Sequence, residues 1–281
     1  MVALVTGCST GIGYSASLML ARNGFYTYAS MRNIGKSTSI KRLATKEALS
    51  LEAIQLDVND DLSVKNAIEE IISEKGRIDI LVNNAGYGLI GPIEDISIEE
   101  LKAQFETNLF GVIRVTQQVL PTMRRQKEGG RIINVSSIGG IAGHPFSAAY
   151  CSVKFALEGL SESMSYEVES FNIKVILIEP ALVISDFHNN AKIVIKSDKA
   201  ANTSPYIQTM NKMFEAYKQV VEEYKMPAEE VAKIIFNASI SSNPYQRYLV
   251  GKYSEMMMET KRTMPDAQFH DMMKNQLIGS K

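Results

Sequence analysis

Tyr150 and Lys154 stand four residues apart, and thirteen positions before Tyr150 comes Ser137, at the end of an apolar run. Residues on this spacing share one helix face, so a phenol and an ammonium point into the same space. A free phenol titrates near pH 10 and is only about 0.1% ionised at pH 7, which makes it a poor proton acceptor. An ammonium about 4 Å away, at an effective dielectric near 20, favours the phenolate by up to about 4 kcal/mol, roughly three pKa units. The pair is therefore a candidate general acid/base, with the Ser137 hydroxyl as a third polar group. A packed tyrosine, a solvated lysine and a turn serine explain each residue alone; they do not explain the three together.

Near the start, the run Val2 to Val5 feeds into Thr6-Gly7-Cys8-Ser9-Thr10-Gly11-Ile12-Gly13. Missing side chains at Gly7, Gly11 and Gly13, and small ones at Ser9 and Thr10, let backbone amides up to Ile12 approach a pyrophosphate at the positive end of a helix. The spacing is neither G-x-G-x-x-G nor a phosphate loop with its Lys-Ser/Thr pair, and a plain glycine-rich turn is the competing explanation. About twenty residues further on, a dinucleotide-binding strand usually ends in an acid. Here the chain reads Ser30-Met31-Arg32. Arg32 can clamp a 2'-phosphate bidentately and no carboxylate repels it, which favours NADP (NADPH) over NAD; the alternative is a solvated surface arginine. Asp57 and Val58 close the third apolar run, where Asp57 either accepts a hydrogen bond from adenine or caps the following helix. Asn83-Asn84-Ala85-Gly86 ends the fourth run with small, amide-bearing residues, and Asn84, Ala85 and Gly86 suit close backbone approach to a cofactor.

In this order the motifs resemble those of the short-chain dehydrogenases/reductases, from Val2 to about Gly251, and most resemble the NADP-dependent subgroup with 17β-hydroxysteroid and retinol dehydrogenases. The resemblance implies that Tyr150 is the general acid/base, that Lys154 lowers its pKa and holds the nicotinamide ribose, and that Ser137 orients the substrate oxygen. It makes Asn108 the helix asparagine that supports a proton relay to the lysine; a polar residue bonded back into its own helix is the alternative. After the sixth run, Pro180-Ala181-Leu182-Val183-Ile184-Ser185 stands where the family has Pro-Gly and a later Thr. Pro180, Val183 and Ser185 are expected in the cofactor loop, with the Ala181 methyl crowding it. The implied activity is hydride transfer between NADP(H) and a carbonyl or secondary alcohol of a small molecule. A non-catalytic NADP-binding sensor or scaffold is the other reading, and the set Asn108, Ser137, Tyr150 and Lys154 separates the two. The resemblance also implies a homodimer or homotetramer. Its interface would be the helix from Ser97 to Arg125 and the one after Tyr150, through Phe155, Leu157, Leu160, Met164 and Val168.

Positioning these groups requires strands that end beside one another. Seven apolar or β-branched runs supply them: Val2 to Val5, Phe25 to Ser30, Leu51 to Leu56, Ile78 to Val82, Arg131 to Val135, Lys174 to Ile178 and Tyr248 to Val250. Helical stretches lie between, among them Leu62 to Glu74, expected to be capped by Asp61 and stopped by Gly76, and a long helix opened by the capping box at Ser97 and kinked at Pro121. Alternating strands and helices, with continuously apolar strands, predict a single α/β domain over residues 1–281: a doubly wound parallel sheet, Rossmann-like, with its ligand crevice at the carboxyl ends of the strands. Residues 180–226 read as an irregular substrate lid and 252–281 as a helical extension. Phe187, Ile193, Val194, Ile195, Tyr206, Met210, Met213, Phe214 and Tyr217 in the lid, with Tyr87, Leu89, His144 and Phe146, make an apolar pocket plausible, although Met210, Met213, Phe214 and Tyr217 also fit a buried helix stripe.

Composition agrees with an ordinary globular protein: 281 residues, 45% apolar, 22% charged. Thirty basic against thirty-one acidic side chains give a net charge of -1, which offers no general attraction to nucleic acid or an anionic membrane. Two cysteines, Cys8 and Cys151, make no disulfide framework and point to a reducing, cytoplasmic setting. Three histidines without ligand spacing predict no metal site, and no apolar run is long enough to span a membrane.

Overall fold

The computed structural model describes residues 1–185, 191–196 and 204–279. Its central sheet consists of β1 (Val2–Val5), β2 (Tyr26–Met31), β3 (Leu51–Gln55), β4 (Ile80–Asn83), β5 (Gly130–Val135), β6 (Ile173–Pro180) and β7 (Arg247–Val250). All neighbours are parallel, in the order β3-β2-β1-β4-β5-β6-β7. The seven expected runs are the seven strands, displaced by a residue or two at their ends. Sequence order reverses between β1 and β4, so the loops after these two strands part in opposite directions and open a crevice at their carboxyl ends.

Helices α1 (Gly11–Arg22), α2 (Thr38–Lys46) and α8 (Ala228–Ile240) cover one face, while α3 (Asp61–Lys75), α5 (Gly111–Arg125) and α6 (Ala148–Val168) cover the other. Ala3 and Val5 of β1 join Leu20, Ile40 and Ile235 on the first face, and Val2 and Leu4 join Ile71, Val119 and Met164 on the second. Burial on both faces is why β1 and β4 read as continuous apolar runs rather than alternating ones.

Local signals place the helix ends with two corrections. The cap of α3 is Asp60, whose Oδ1 accepts from the backbone N–H groups of Leu62 (2.8 Å) and Ser63 (3.0 Å); Asp61 is the first helical residue and pairs with Arg114. The Ser97 capping box forms as expected, opening α4 (Ile98–Phe105). The long helix departs from regular geometry not at Pro121, which lies inside α5, but at a π-helical turn, Glu106–Phe110, between α4 and α5.

The segment read as an irregular lid contains an 18-residue helix, α7 (Ile207–Tyr224). It packs with α9 (Lys252–Thr263) and α10 (Asp266–Leu277) through Met213, Val220, Met257, Phe269 and Met273, against Ile138, Ala181 and Leu182. Apolar burial thus ties the C-terminal extension to the loops after β5 and β6. Phe187 lies outside the described residues. Among the described residues no helix is long and apolar enough to cross a membrane.

Candidate active site

The turn after β1 is built so that backbone can crowd backbone. Gly7 has φ +73°, and a Cβ there would sit 2.8 Å from the Cα of Ala85. A Cβ on Gly13 would stand 2.5 Å from both the Gly7 carbonyl and the Asn84 Nδ2. Asn84 clamps the turn: its Nδ2 donates to the carbonyls of Thr6 (2.9 Å) and Gly7 (3.2 Å). Thr6 Oγ1 accepts in return from the backbone N–H groups of Asn84 (2.9 Å) and Ala85 (3.0 Å). The loops after β1 and β4 are therefore one unit. Gly11 (φ +62°) faces Ser185, whose Cβ would lie 3.1 Å from a methyl placed there. Cys8 points away from this surface into the core; burial pushes its thiol up to about 12, which leaves it inert.

A single cleft of about 900 Å³ runs along the strand ends. It is lined by Gly7, Ser9, Thr10, Gly11 and Ile12 from the first turn, Asp57 and Val58 after β3, Asn84, Ala85 and Gly86 after β4, Ser137, Tyr150 and Lys154, and Pro180, Val183 and Ser185 after β6. Of the catalytic and cofactor residues singled out in the sequence, Gly13 and Asn108 do not line it, and of the apolar pocket candidates Leu89, Phe146, Ile193, Val194, Ile195, Tyr206 and Met210 do not. Gly13 packs against Gly7 and Asn84, and Asn108 is a buried brace on the π-turn. Its Nδ2 donates to the Tyr87 carbonyl (2.9 Å) while its Oδ1 accepts from the Tyr87 N–H (3.1 Å). Asp57 caps no helix; its Oδ1 accepts from the Asn59 N–H (3.0 Å), and it remains at the cleft wall. Ala181 is buried in the C-terminal cluster with an ordinary φ, and the left-handed residue of that loop is Leu182, at φ +53°.

At the outer end of the cleft Arg32 is exposed, and Lys36, one turn further along the chain, lines the same wall. Sequence reading missed Lys36; its position four residues after Arg32, in the 3-10 turn that follows β2, is the signal that finds it. No carboxylate pairs with either cation among the described residues.

The chemistry-bearing groups meet where β5 ends and α6 begins. Ser137 caps the short turn Ile138–Gly140, its Oγ accepting from the Gly139 N–H (3.1 Å), and it is also hydrogen-bonded to Tyr150. Gly139 lets the Tyr150 ring lie against this turn: a Cβ would come 3.1 Å from its Cε1. Lys154 is buried; its Nζ donates to the Val135 carbonyl (2.8 Å) and lies 5.9 Å from the Tyr150 ring centre. Burial pushes the Tyr150 phenol above its ordinary range, against the Ser137 hydrogen bond that pulls it down. Burial also brings Lys154 down to about 8, against the Glu158 carboxylate that pulls it up. The phenol is therefore raised rather than lowered as the four-residue spacing leads one to expect, because burial dominates and the Lys154 ammonium is directed at the Val135 carbonyl.

Beyond Tyr150 the wall turns apolar: Leu182, Met213, Phe214, Tyr217, Tyr253 and Leu277, with His144 as a polar exception. Met210, on the same face one turn earlier in α7, is buried and does not line the cleft. Both sequence readings of the 210–217 stripe thus hold, for different residues. Tyr253 and Leu277 were not legible as lining residues, since nothing local says that the last helices fold back over the cleft.

Residues 1–196 match the short chain dehydrogenase family. The chain is 36% identical over 256 residues to human 17-beta-hydroxysteroid dehydrogenase type 1, covering 88% of this chain and 76% of that protein. It is 35% identical over 250 residues to bovine retinol dehydrogenase 8, covering 86% and 78%. Among solved structures, a gluconate 5-dehydrogenase from Burkholderia cenocepacia J2315, in complex with NADP and tartrate, superposes with a TM-score of 0.73 at 25% identity, covering 91% of this chain and 95% of that one. A parallel sheet reversed at β1 and β4, a glycine turn locked to the β4 loop and a Ser-Tyr-Lys group at the β5 end have one common owner: the chain belongs to the short-chain dehydrogenase/reductase family of oxidoreductases.

Proposed function

We propose that this oxidoreductase is specific for NADP(H) and interconverts a carbonyl and a secondary alcohol on an apolar small molecule, with Tyr150 as general acid/base. The observation that carries this reading is that Tyr150, Ser137 and Lys154 stand in the same cleft as Arg32 and Lys36. The glycine turn suits a dinucleotide, since methyls at Gly7 or Gly13 would push apart the β1 and β4 loops whose backbone lines the cleft, and one at Gly11 would crowd Ser185. A bound nicotinamide supplies or accepts the hydride. Tyr150 then gives its proton to the substrate oxygen during reduction, or takes one during oxidation. Ser137 holds that oxygen by a hydrogen bond, and the Lys154 ammonium stabilises the phenolate once the proton has left. The buried wall from Leu182 to Leu277 excludes water and favours an apolar substrate body, as the names of the steroid and retinol relatives suit. NADPH consumption across a panel of retinal, 17-ketosteroids, simple ketones and hydroxy acids tests the reading. Turnover with the apolar members is expected. No turnover with any member, under conditions where NADPH binds, would favour the sensor or scaffold reading.

Cofactor preference follows from Arg32 and Lys36. A charge-assisted contact contributes about 1.5–3 kcal/mol, a factor of about 10 to 100 in affinity. Arg32→Ala with Lys36→Ala is expected to weaken NADPH binding by at least that factor in calorimetry, with NADH binding unchanged. Equal binding of NADH and NADPH by the wild-type protein would sink the NADP assignment.

We place the protein in the cytoplasm as a homodimer or homotetramer. Two buried, unpaired cysteines suit a reducing compartment. On α6, Leu157, Met164 and Val168 face inward, leaving Phe155 at 47% exposure and Tyr166 at 71%, with Phe110 beside α5 at 47%. These exposed side chains are the surplus apolar surface that a two-fold partner would cover, with the half-buried Leu160 at its margin. Light scattering is expected to give a multiple of the 31.1 kDa chain, reduced by Leu160→Arg. A monomeric mass for the wild type would refute the oligomer.

A further inference from the structure

Behind Lys154, away from the cleft, lies a charged group that the reaction does not directly use. Glu158, one turn further along α6, and Glu179, near the end of β6, are both buried, at 6% and 0% exposure. Both accept from Nη1 of Arg247 on β7, Glu179 at 2.9 Å, and Arg247 Nη2 reaches out to the exposed Glu162 at 3.0 Å. A single guanidinium thus serves two buried carboxyl groups side by side, close enough to hydrogen-bond to each other when one of them carries a proton. Gly140 makes room for this arrangement: a Cβ there would lie 3.1 Å from Glu158 Oε1 and 3.0 Å from Ser136 Oγ.

Two carboxylates on one cation leave negative charge to spare, and buried charge acts at longer range than exposed charge. We propose that Glu158 is the buried counter-charge that keeps Lys154 an ammonium, and that Glu179 and Arg247 set how much of that charge Lys154 feels. Glu158 is a positioning residue, since it touches neither substrate nor cofactor. The inference rests on the catalytic reading of Lys154 given above. The charged groups facing the two carboxyls are Lys154 and Glu162 from α6 and Arg247 from β7; β5 and the 138–140 turn bring Ser136 and Gly140, which do not titrate. Glu158 is the carboxylate that pulls Lys154 upward, while burial holds it near 8. Burial and the neighbouring Glu158 carboxylate push Glu179 up to about 7, so its charge changes just below the range in which Lys154 loses its own.

The test follows Lys154 directly, by carbon NMR of protein labelled at the lysine ε-carbons, with Lys154→Arg to assign the signal. In Glu158→Gln the Lys154 titration is expected to move down by a pH unit or more. Activity at pH 8.5 relative to pH 6.5 should fall about tenfold in the same variant. Glu158→Asp, which keeps the charge, should restore both. Glu162→Gln, which touches the same arginine from the solvent side, should change neither. In wild-type protein the Lys154 signal should also sense an ionisation near pH 7 that disappears in Glu179→Gln, a readout that survives if Glu158→Gln fails to fold. An unmoved Lys154 titration in folded Glu158→Gln, or an equal shift in Glu162→Gln, overturns the proposal. The NMR titration needs no turnover. Its failure in an active enzyme sinks the counter-charge, and its success in a protein that turns over no carbonyl sinks the catalytic reading instead.

Discussion

Tyr150→Phe is expected to lower turnover by about 10²–10⁴-fold while leaving the fold and NADPH binding intact, the usual contribution of a positioned general acid/base. The ring stays, so its packing on Gly139 is kept; what is lost is the proton at the substrate oxygen and one hydrogen bond to Ser137. The check is a comparison of kcat on the best panel substrate with the NADPH dissociation constant. Near-wild-type kcat in the variant would show that another group moves the proton. A loss of NADPH affinity as large as the loss of kcat would mean that the phenol holds the cofactor rather than doing chemistry.

Gly13→Ala is expected to damage cofactor use as severely, although Gly13 itself does not line the cleft. Its methyl would meet the Gly7 carbonyl and the Asn84 amide at 2.5 Å, and the carbonyl is backbone that cannot rotate away. Either α1 shifts or the clamp between the β1 and β4 loops opens. Overpacking of this kind costs about 1–3 kcal/mol in stability, which lowers the melting temperature by about 2–4 °C for each kcal/mol in a protein of this size. Displacing the turn by even 1 Å would lower kcat/KM by about a hundredfold. Thermal unfolding and NADPH calorimetry read the two effects separately, and wild-type values in both would show that the turn tolerates the methyl.

Much of this was legible because the signals are local. The Ser97 capping box, the Gly76 stop, the seven strand runs and the Tyr150 to Lys154 spacing each depend on neighbours a few residues away. Where the reading failed, a distant contact decided. Asn108, expected to support a proton relay to Lys154, and Gly13, expected at the cofactor, do not line the cleft: Asn108 braces Tyr87 and Gly13 makes room for Asn84, contacts set by how two loops meet. The phenol pKa was expected to be lowered, but burial outweighs the Ser137 hydrogen bond that pulls it down. Residues 180–226 looked irregular because α7 is amphipathic toward helices that lie later in the chain, and its apolar stripe has no strand to face.

One consequence lies in how the cleft is divided along the chain. The glycine turn, Ser137, Tyr150 and Lys154, and the first six strands all lie within residues 1–196, the part that matches the family, whereas Met213, Phe214, Tyr217, Tyr253 and Leu277 come from helices after it. Most of the apolar wall of the cleft thus comes from helices placed after the matched region, which reach it through Ala181, Leu182 and Ile138. Substitutions at Met213, Phe214, Tyr217, Tyr253 and Leu277 would reshape that wall while leaving Ser137, Tyr150 and Lys154 in place, and a bulky fusion on the last helix would intrude on the wall first.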